Sequence, residues 1–560
     1  MVRRAATPQL ATHSPTSHGP TTRADPAPVV TTAFGAVQPS VLYPGPVAAD
    51  GTSQTPRSET ESEAAETLRD LNLDQLIDSI IDGWQPYELV DLFRQRLSSV
   101  DTVEYRQEVF ADLGSPAVLE PVEHFTRQMR DMRISLARAG EMFSDVQRQR
   151  WVLDAILRYV AAVQELADGL GSAPVRSRGV RSVAAFLSGY VASAPFTTLA
   201  EQATEIEREL AAITYCVQVA GSRVWVSLYG GQQDYAAEVL ETFARFRQAP
   251  ARSYLVEWRT WPHLDHVESG VVERVQRLTP EPFARLARFV EEQRGYLDPV
   301  LAAFEREIQF YVAYLHFLRP LRAAGVSFCT PRVTEAPGEL RVTRTVDLAL
   351  ASALVARGAG VVTNDVRLLG AERIIVVTGP NQAGKTTFAR TFGQLHHLAA
   401  LGCPVPGEEA RIPLCDRVFT HFIRQDALGQ VSGTLEDEVI RIYGVLRHAT
   451  ARSVIVANEM FGSTSLSDAV MLGTDVLRRI LGIGAAGVCV TFIDELAGLD
   501  ERIVSMASTV RPEDPTQRTF QVVRRPADGL AYAVAIADRY GLSYERVRVR
   551  VADRCAEVAS

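Results

Sequence analysis

Nine consecutive residues have the types and spacing that bind phosphate groups. They are Gly379, Pro380, Asn381, Gln382, Ala383, Gly384, Lys385, Thr386 and Thr387, and the first eight fit the pattern G-x-x-x-x-G-K-[ST]. Glycines let the backbone fold around phosphate oxygens, and the helix that follows adds N–H donors. We expect Lys385 to reach the β- and γ-phosphates and Thr386 to place its hydroxyl on a magnesium ion. The pattern therefore predicts a site for ATP with Mg²⁺.

The lysine of this pattern has no counterpart elsewhere in the sequence. Of the 58 lysine and arginine residues, 57 are arginines and only Lys385 is a lysine. The codon usage of a G+C-rich genome accounts for arginine at the other basic positions. A compact ammonium group on a flexible stem fits among phosphate oxygens better than a planar guanidinium does. The exception therefore favours Lys385 as a phosphate ligand.

A second pair of polar residues follows another apolar run. A phosphate loop needs an acidic partner at the end of a neighbouring strand, which organises magnesium and orients the attacking water. Asn458 and Glu459 come directly after the run 454–457. We interpret Glu459 as the catalytic base and Asn458 as a magnesium ligand in the position where an aspartate is usual. Because a neutral amide offers only its carbonyl oxygen, we expect lower metal affinity or slower turnover.

Predicted strands and helices alternate around these residues. The apolar runs 374–378, 454–457 and 488–491 predict buried strands with helices between them, which is the pattern of a mostly parallel sheet. The first run ends directly before Gly379, and a helical pattern follows the loop. This is the context that a phosphate loop requires. The pattern favours an α/β P-loop ATPase domain over residues 335–553.

The chain before this domain has a different composition. Residues 1–65 are rich in Pro, Thr, Ser, Ala and Gly without periodicity, which predicts a disordered leader. From 66 to 330, apolar residues recur at spacings of three and four and predict an all-α domain. An alternating pattern over 215–228 predicts a small β-hairpin inside an insertion at about 210–260. Residues 554–560 form a short tail.

Overall composition argues against several function classes. A net charge of -9 and a pI near 5.7 do not suit a protein that grips nucleic acid through an overall positive field, although a local patch remains compatible. The six cysteines form no C-x-x-C pair, so we expect free thiols in a reducing compartment. No run of 18 apolar residues and no secretory signal are found. We therefore expect a cytoplasmic protein without a membrane partner.

The loop and its neighbouring segments resemble the ATPase domain of the MutS family, the mismatch-repair ATPases related to ABC proteins. Residues 378–387 read TGPNQAGKTT, which is similar to that family's TGPN-x-x-GK-[ST]-T loop. Residues 364–365 match its ND step, 458–465 resemble its DE-x-x-x-GTS segment, and 532–542 look like its closing helix. The resemblance implies an ABC/MutS-type ATPase domain after a helical core and lever, with the 210–260 insertion as a reduced clamp.

The resemblance also implies a homodimer, because in such proteins a second subunit contributes a signature segment to the γ-phosphate. The matching segment here is 432–438, in which the usual Ser-Thr-Phe becomes Gly433-Thr434-Leu435 with Ser432 directly before it. Ser432, Gly433 and Thr434 are the candidate contacts. The switch histidine expected after the third strand aligns with Phe492, which cannot sense a phosphate by hydrogen bonding. The phosphate-binding half of the site thus matches the family, whereas the magnesium and trans-sensing positions differ.

DNA is the partner that the resemblance implies. MutS proteins that read mismatches carry an amino-terminal domain with an F-x-E motif, and the only F-x-E here, at 289–291, lies in a helical pattern. We therefore expect structured or branched DNA as partner and no direct mismatch reading. Two groups of arginines are candidate phosphate contacts or simply solvated faces, namely Arg127, Arg130, Arg133 and Arg138, and Arg176, Arg178 and Arg181.

Two functional hypotheses follow from these residues. The first is a MutS-like ATPase that dimerises through its nucleotide domains and uses ATP to move helical levers on DNA. The alternative is an ATP-gated binding scaffold with little or no hydrolysis, in which nucleotide acts as a conformational ligand. A general ABC or SMC-type ATPase is disfavoured by the TGPN phrase and by the absence of a long coiled-coil pattern.

Overall fold

The computed structural model describes residues 39–45, 61–221, 223–231, 242, 266–335, 338–422, 434–511, 513–527, 542, 544, 546–548, 550 and 551. The helices before residue 330 are α1 (Glu61–Asp70), α2 (Leu73–Ile81), α3 (Val90–Arg94), α4 (Val100–Leu113), α5 (Pro116–Glu141), α6 (Asp145–Ser172), α7 (Arg178–Val191), α8 (Ala194–Ala211), α9 (His266–Leu278), α10 (Pro280–Glu292) and α11 (Pro299–Ala323). The later helices are α12 (Leu348–Ala356), α13 (Lys385–Ala400), α14 (Thr434–His448) and α15 (Leu466–Ile483).

Strands occur in two regions of the described chain. The early strands are β1 (Tyr215–Ala220) and β2 (Arg223–Leu228). The later strands are β3 (Phe328–Cys329), β4 (Arg332–Thr334), β5 (Leu340–Thr345), β6 (Asn364–Leu368), β7 (Ile374–Thr378), β8 (Val405–Pro406), β9 (Glu409–Pro413), β10 (Val418–Phe422), β11 (Val454–Asn458), β12 (Ala486–Val490), β13 (Ile503–Arg511) and β14 (Asp514–Arg524). Two short 3-10 helices span Gln85–Tyr87 and Asp494–Gly498.

Helix α11 is the centre of the helical region. Every residue from 308 to 314 is buried, as expected for a helix with packing partners on all sides. The helix begins where the Asp298 carboxylate accepts hydrogen bonds from the N–H groups of Val300 and Leu301. Helices α5 and α6 are joined by the short turn 142–144 and pack along each other.

The predicted hairpin is present as β1 and β2. Its strands pair antiparallel, with Tyr215 opposite Leu228 and Ala220 opposite Arg223. Alternation puts Val217, Val219 and Val224 on the same face as Tyr215, and these side chains are exposed. Hydrophobic alternation therefore located this hairpin correctly, although its apolar face does not lie in the core.

Residues 39–45 differ from the predicted disordered leader. Val41 and Leu42 are buried in the main core, and their backbone is bound by buried polar groups. The Glu307 carboxylate accepts hydrogen bonds from the Ser40 hydroxyl and the Val41 N–H, both at 2.8 Å. Burial raises the pKa of Glu307, and these donors oppose that rise. The Tyr311 hydroxyl donates to the Val41 carbonyl at 2.5 Å. Residues 39–45 are therefore packed and hydrogen-bonded against the helical region.

Six strands between residues 374 and 524 form one sheet. Its order is β10-β11-β12-β7-β13-β14, and all neighbouring pairs are parallel except β13 and β14. All five residues of β7 are buried, which matches a continuous apolar run in a central strand. The carboxyl ends of β7, β11 and β12 therefore meet at one edge of the sheet, where ligands of open α/β sheets bind.

A smaller four-stranded sheet has the order β4-β9-β5-β6; β4, β5 and β6 come before β7 in the chain, and β9 comes after α13. Within the described residues, no single helix is long and apolar enough to cross a membrane, and one bent pair, α7 with α8, meets the test by length and composition only.

We expect Leu42→Ala to lower the free energy of unfolding by about 2 to 5 kcal/mol, because it removes a fully packed side chain from the core. Urea denaturation followed by circular dichroism measures the change. Leu278→Ala is the matched control, since Leu278 is exposed and its loss should cost no more than about 0.5 kcal/mol. Equal small changes in both variants would show that residues 39–45 do not belong to the core.

Candidate nucleotide site

The predicted phosphate loop lies between β7 and α13. The strand ends at Thr378, and the helix begins at Lys385. Three residues of the turn have left-handed backbone conformations, with φ of 115° at Gly379, 59° at Gln382 and 92° at Gly384. Two of the three are glycines, which adopt such angles without a Cβ clash. The chain thus reverses direction tightly at the carboxyl end of a buried strand.

Close packing also requires glycine at 379. A Cβ added there would lie 2.5 Å from the Ser508 hydroxyl and 3.0 Å from the Ser508 carbonyl oxygen. Ser508 belongs to the neighbouring strand β13 and donates to the Thr378 carbonyl at 3.3 Å. The sequence pattern gave no indication of Ser508, because this contact depends on the order of strands in the sheet.

The Lys385 side chain folds back into the turn and is only 5% exposed. Its ammonium group donates to the carbonyl oxygens of Gly379 at 2.7 Å and Pro380 at 3.2 Å, and to Asn381 Oδ1 at 3.2 Å. Burial lowers the pKa of the ammonium, the Glu459 carboxylate raises it, and the charge of Arg518 lowers it. The structure therefore places a buried cation at the centre of the predicted loop.

Thr386 and Asn458 meet across the edge of the sheet. The Thr386 hydroxyl donates to Asn458 Oδ1 at 2.9 Å. Asn458 is the last residue of β11, and Thr386 is the second residue of α13. Both side chains present oxygen atoms, the donor type that Mg²⁺ prefers. The predicted metal-binding pair is thus assembled in space from positions 72 residues apart.

Glu459 lies next to this pair in a strained conformation. Its φ is 58°, an uncommon value for a residue with a side chain, and its N–H donates to the Val490 carbonyl at the end of β12 at 2.8 Å. The side chain is half-buried. Phe461, two residues later, also has a φ of 58°. Such strain concentrates at functional sites.

Comparisons with known proteins agree with this arrangement. A family profile described as MutS domain V matches residues 375–548. The DNA mismatch repair protein MutS of Oleidesulfovibrio alaskensis is 37% identical over 134 residues, which are 24% of this chain and 15% of that protein. The DNA mismatch repair protein MutS of Aquifex pyrophilus is 31% identical over 191 residues, which are 33% of this chain and 22% of that protein. The protein of that name from Chlorobium phaeovibrioides is 28% identical over 309 residues, 54% of this chain and 34% of that protein.

Residues 375–548 are thus similar to MutS domain V, and one aligned MutS protein covers 54% of the chain. These alignments reach about a third or less of the relatives' own length, and the profile spans the loop, β11 and β12. The ND step, Asn364 and Asp365, has a structural role. Asn364 donates to the Phe520 carbonyl at 3.2 Å and accepts from the Val522 N–H at 2.7 Å, so it fixes β14 beside the loop. Asp365 accepts from the Arg344 N–H at 2.9 Å.

Of the residues predicted to contact a partner subunit's nucleotide, the structure describes only Thr434. Ser432, Gly433 and the predicted closing helix 532–542, apart from residue 542, lie outside the described residues. Thr434 is the first residue of α14. One turn later, the buried Glu438 accepts from the Phe461 N–H at 2.8 Å, a contact that the sequence pattern did not predict. Phe492 is half exposed after β12 and does not pack as a core aromatic.

The two predicted arginine groups contain both paired and exposed side chains. Arg133 donates to the buried Glu305 at 2.5 and 3.1 Å, and Arg178 pairs with Glu108 and Asp101. Arg133 and Arg178 therefore form ion pairs within the helical region. Arg127 and Arg130 are exposed on α5.

We expect Gly379→Ala to lower the free energy of unfolding by about 1 to 3 kcal/mol, because alanine is strained at a φ of 115° and meets Ser508. Differential scanning calorimetry measures the change. Gly482→Ala is the control, since Gly482 lies in α15 with open space around its Cβ position. That substitution should be neutral or stabilise by up to about 1 kcal/mol. Equal effects in the two variants would contradict the packing argument.

Proposed function

We propose that this chain is a MutS-family protein that binds ATP with Mg²⁺ at the 379–387 loop and hydrolyses it slowly, using an ABC/MutS-type P-loop ATPase domain. The observation that carries the proposal is the buried ammonium of Lys385 inside a glycine turn at the carboxyl end of a central strand. A triphosphate offers the oxygen acceptors that replace the loop carbonyls around this cation. The N–H groups at the start of α13 add donors of the right polarity.

Thr386 and Asn458 are the residues that would hold magnesium. Their oxygen atoms already lie 2.9 Å apart, so the donor set fits the ion. Bound magnesium would neutralise charge on the β- and γ-phosphates. Glu459 follows directly and is the proposed base that orients and activates water. Its ladder hydrogen bond to Val490 fixes the backbone from which the carboxylate extends.

A second candidate function is an ATP-gated binding scaffold, and Asn458 is the observation that favours it. The amide is neutral where a carboxylate would add a negative charge to the metal site. Phe492, half exposed at the switch position, supplies no hydrogen-bonding group. In this reading, nucleotide binding selects a conformation and hydrolysis is negligible.

We further propose a cytoplasmic homodimer that acts on structured or branched DNA. The relatives' names attribute DNA mismatch repair to those proteins. Residues 432–434 would contact the partner subunit's nucleotide, and helical levers would transmit the rearrangement. The exposed Arg127 and Arg130 on α5 are candidate phosphate contacts.

Wild-type protein is expected to bind ATP in the presence of Mg²⁺ and to release phosphate slowly. Lys385→Ala should abolish binding, because the cation within the loop is lost. Glu459→Gln should bind ATP as tightly as wild type but hydrolyse it at least about 100-fold more slowly, as expected when a general base is removed. Equilibrium binding and single-turnover hydrolysis measure the two steps separately.

The same measurements distinguish the two candidate functions. Binding with measurable single-turnover hydrolysis that depends on Glu459 supports the ATPase. Binding without hydrolysis in wild type supports the scaffold. Equal hydrolysis in wild type and Glu459→Gln would exclude Glu459 as the base, and no ATP binding at all would reject both functions.

The DNA proposal predicts salt-dependent binding to junction probes that exceeds binding to duplex, mismatch and single-strand probes. Replacing Arg127 and Arg130 by Gln should weaken binding to every probe and reduce the slope of log K against log salt by about one for each lost phosphate contact. The matched control replaces the exposed Arg208 and Arg277 of α8 and α9 by Gln. No binding to any probe at low salt, with or without ATP, would end the proposal.

A further inference from the structure

The turn that carries the proposed base is fixed at both ends. At its start, the Glu459 N–H donates to the Val490 carbonyl at 2.8 Å. At its end, Ser465 caps α15, because its hydroxyl oxygen accepts from the Asp468 N–H at 3.2 Å. Between these points the backbone is left-handed at Glu459 and at Phe461, both with a φ of 58°. Residues with side chains keep such conformations only where their surroundings impose them.

The middle of this turn is held by a carboxylate from another helix. Glu438 lies one turn into α14, and its side chain is buried. The carboxylate accepts hydrogen bonds from the Phe461 N–H at 2.8 Å and from the Ser463 hydroxyl at 3.4 Å. Phe461 is itself only 1% exposed, so its N–H needs an acceptor from the protein. Glu438 supplies that acceptor from outside the turn.

The shape of the turn sets the position of the Glu459 side chain. Burial lowers the pKa of Lys385 and the Glu459 carboxylate raises it, so this carboxylate lies within electrostatic reach of the loop. A change of the backbone from the left-handed region to an ordinary conformation would redirect the side chain. A displacement of about 1 Å at a catalytic group can slow a reaction about 100-fold. The anchor at Phe461 is therefore able to control the rate without contact with the nucleotide.

We propose that Glu438 is a positioning residue for hydrolysis, which holds Glu459 in place through its hydrogen bonds to Phe461 and Ser463. The inference rests on the proposed function, because it assumes that Glu459 is the base. Glu438 acts only as a hydrogen-bond acceptor and takes no proton. A glutamine at 438 offers an acceptor oxygen with the same reach, so it preserves this role, whereas a glutamine at 459 removes the base.

The test separates nucleotide binding from hydrolysis in the full-length protein. Isothermal titration calorimetry measures the affinity for the nonhydrolysable ATP analogue AMPPNP, and single-turnover assays measure ATP hydrolysis, both with Mg²⁺. Glu438→Ala is expected to leave AMPPNP affinity unchanged and to slow hydrolysis about 10- to 100-fold. Glu438→Gln should hydrolyse ATP at the wild-type rate, in contrast to Glu459→Gln. Glu438→Asp, one methylene shorter, should be as slow as Glu438→Ala, and it replaces the alanine variant if that variant does not fold.

Glu436→Ala is the matched control, because Glu436 lies on the same helix and is exposed. It should change neither AMPPNP affinity nor hydrolysis. Wild-type hydrolysis in Glu438→Ala and Glu438→Asp would overturn this inference alone. Glu438→Gln as slow as Glu438→Asp would also overturn it, since the role would then need the charge of Glu438. A wild-type protein that does not bind AMPPNP, or that binds ATP without hydrolysis, would overturn the proposed ATPase as well.

Discussion

A buried ammonium group needs oxygen acceptors on several sides, and at Lys385 these come from Gly379, Pro380 and Asn381. An uncompensated charge at this depth would cost several kcal/mol. The acceptors converge only because Gly379 and Gly384 adopt left-handed conformations that turn the chain back toward the start of α13. Strand β7 must then be buried and fixed, since the whole turn extends from its last residue. The hydrogen bonds of the Lys385 ammonium therefore require the turn to be fixed at the end of β7.

Parallel pairing supplies the rest of the site from distant parts of the chain. Because β7, β11 and β12 run in the same direction, their carboxyl ends place Lys385, Asn458 and the backbone of Val490 at one edge. The Thr386 hydroxyl bridges to Asn458, so the two halves are joined by a hydrogen bond in addition to the sheet. A neutral amide can make this bond as well as a carboxylate does. An amide at 458 therefore keeps this geometry and leaves the sheet edge without the negative charge that a carboxylate would add.

Local patterns located the strands and the loop but not the contacts that depend on tertiary packing. The run 374–378 became a fully buried strand, and the alternation over 215–228 became the hairpin, because each pattern follows from the periodicity of one element. Residues 39–45 have too few apolar side chains to indicate structure by themselves. Glu307 and Tyr311, far along the chain, supply the partners that fix them. Ser508 was missed for the same reason, since its contact with Gly379 appears only when β13 lies beside the loop.

Helix α14 connects the predicted partner contact to the proposed base within one chain. Residues 432–434 come directly before or at the start of this helix, and Glu438 lies one turn into it. Its carboxylate accepts from the Phe461 N–H at 2.8 Å and from the Ser463 hydroxyl at 3.4 Å, and so holds the strained turn that also contains Glu459. A hydrogen bond tolerates little change in length, so a displacement at the start of α14 must move this turn or break the bond. The backbone position of Glu459 is therefore coupled to that of α14 through the Glu438 carboxylate.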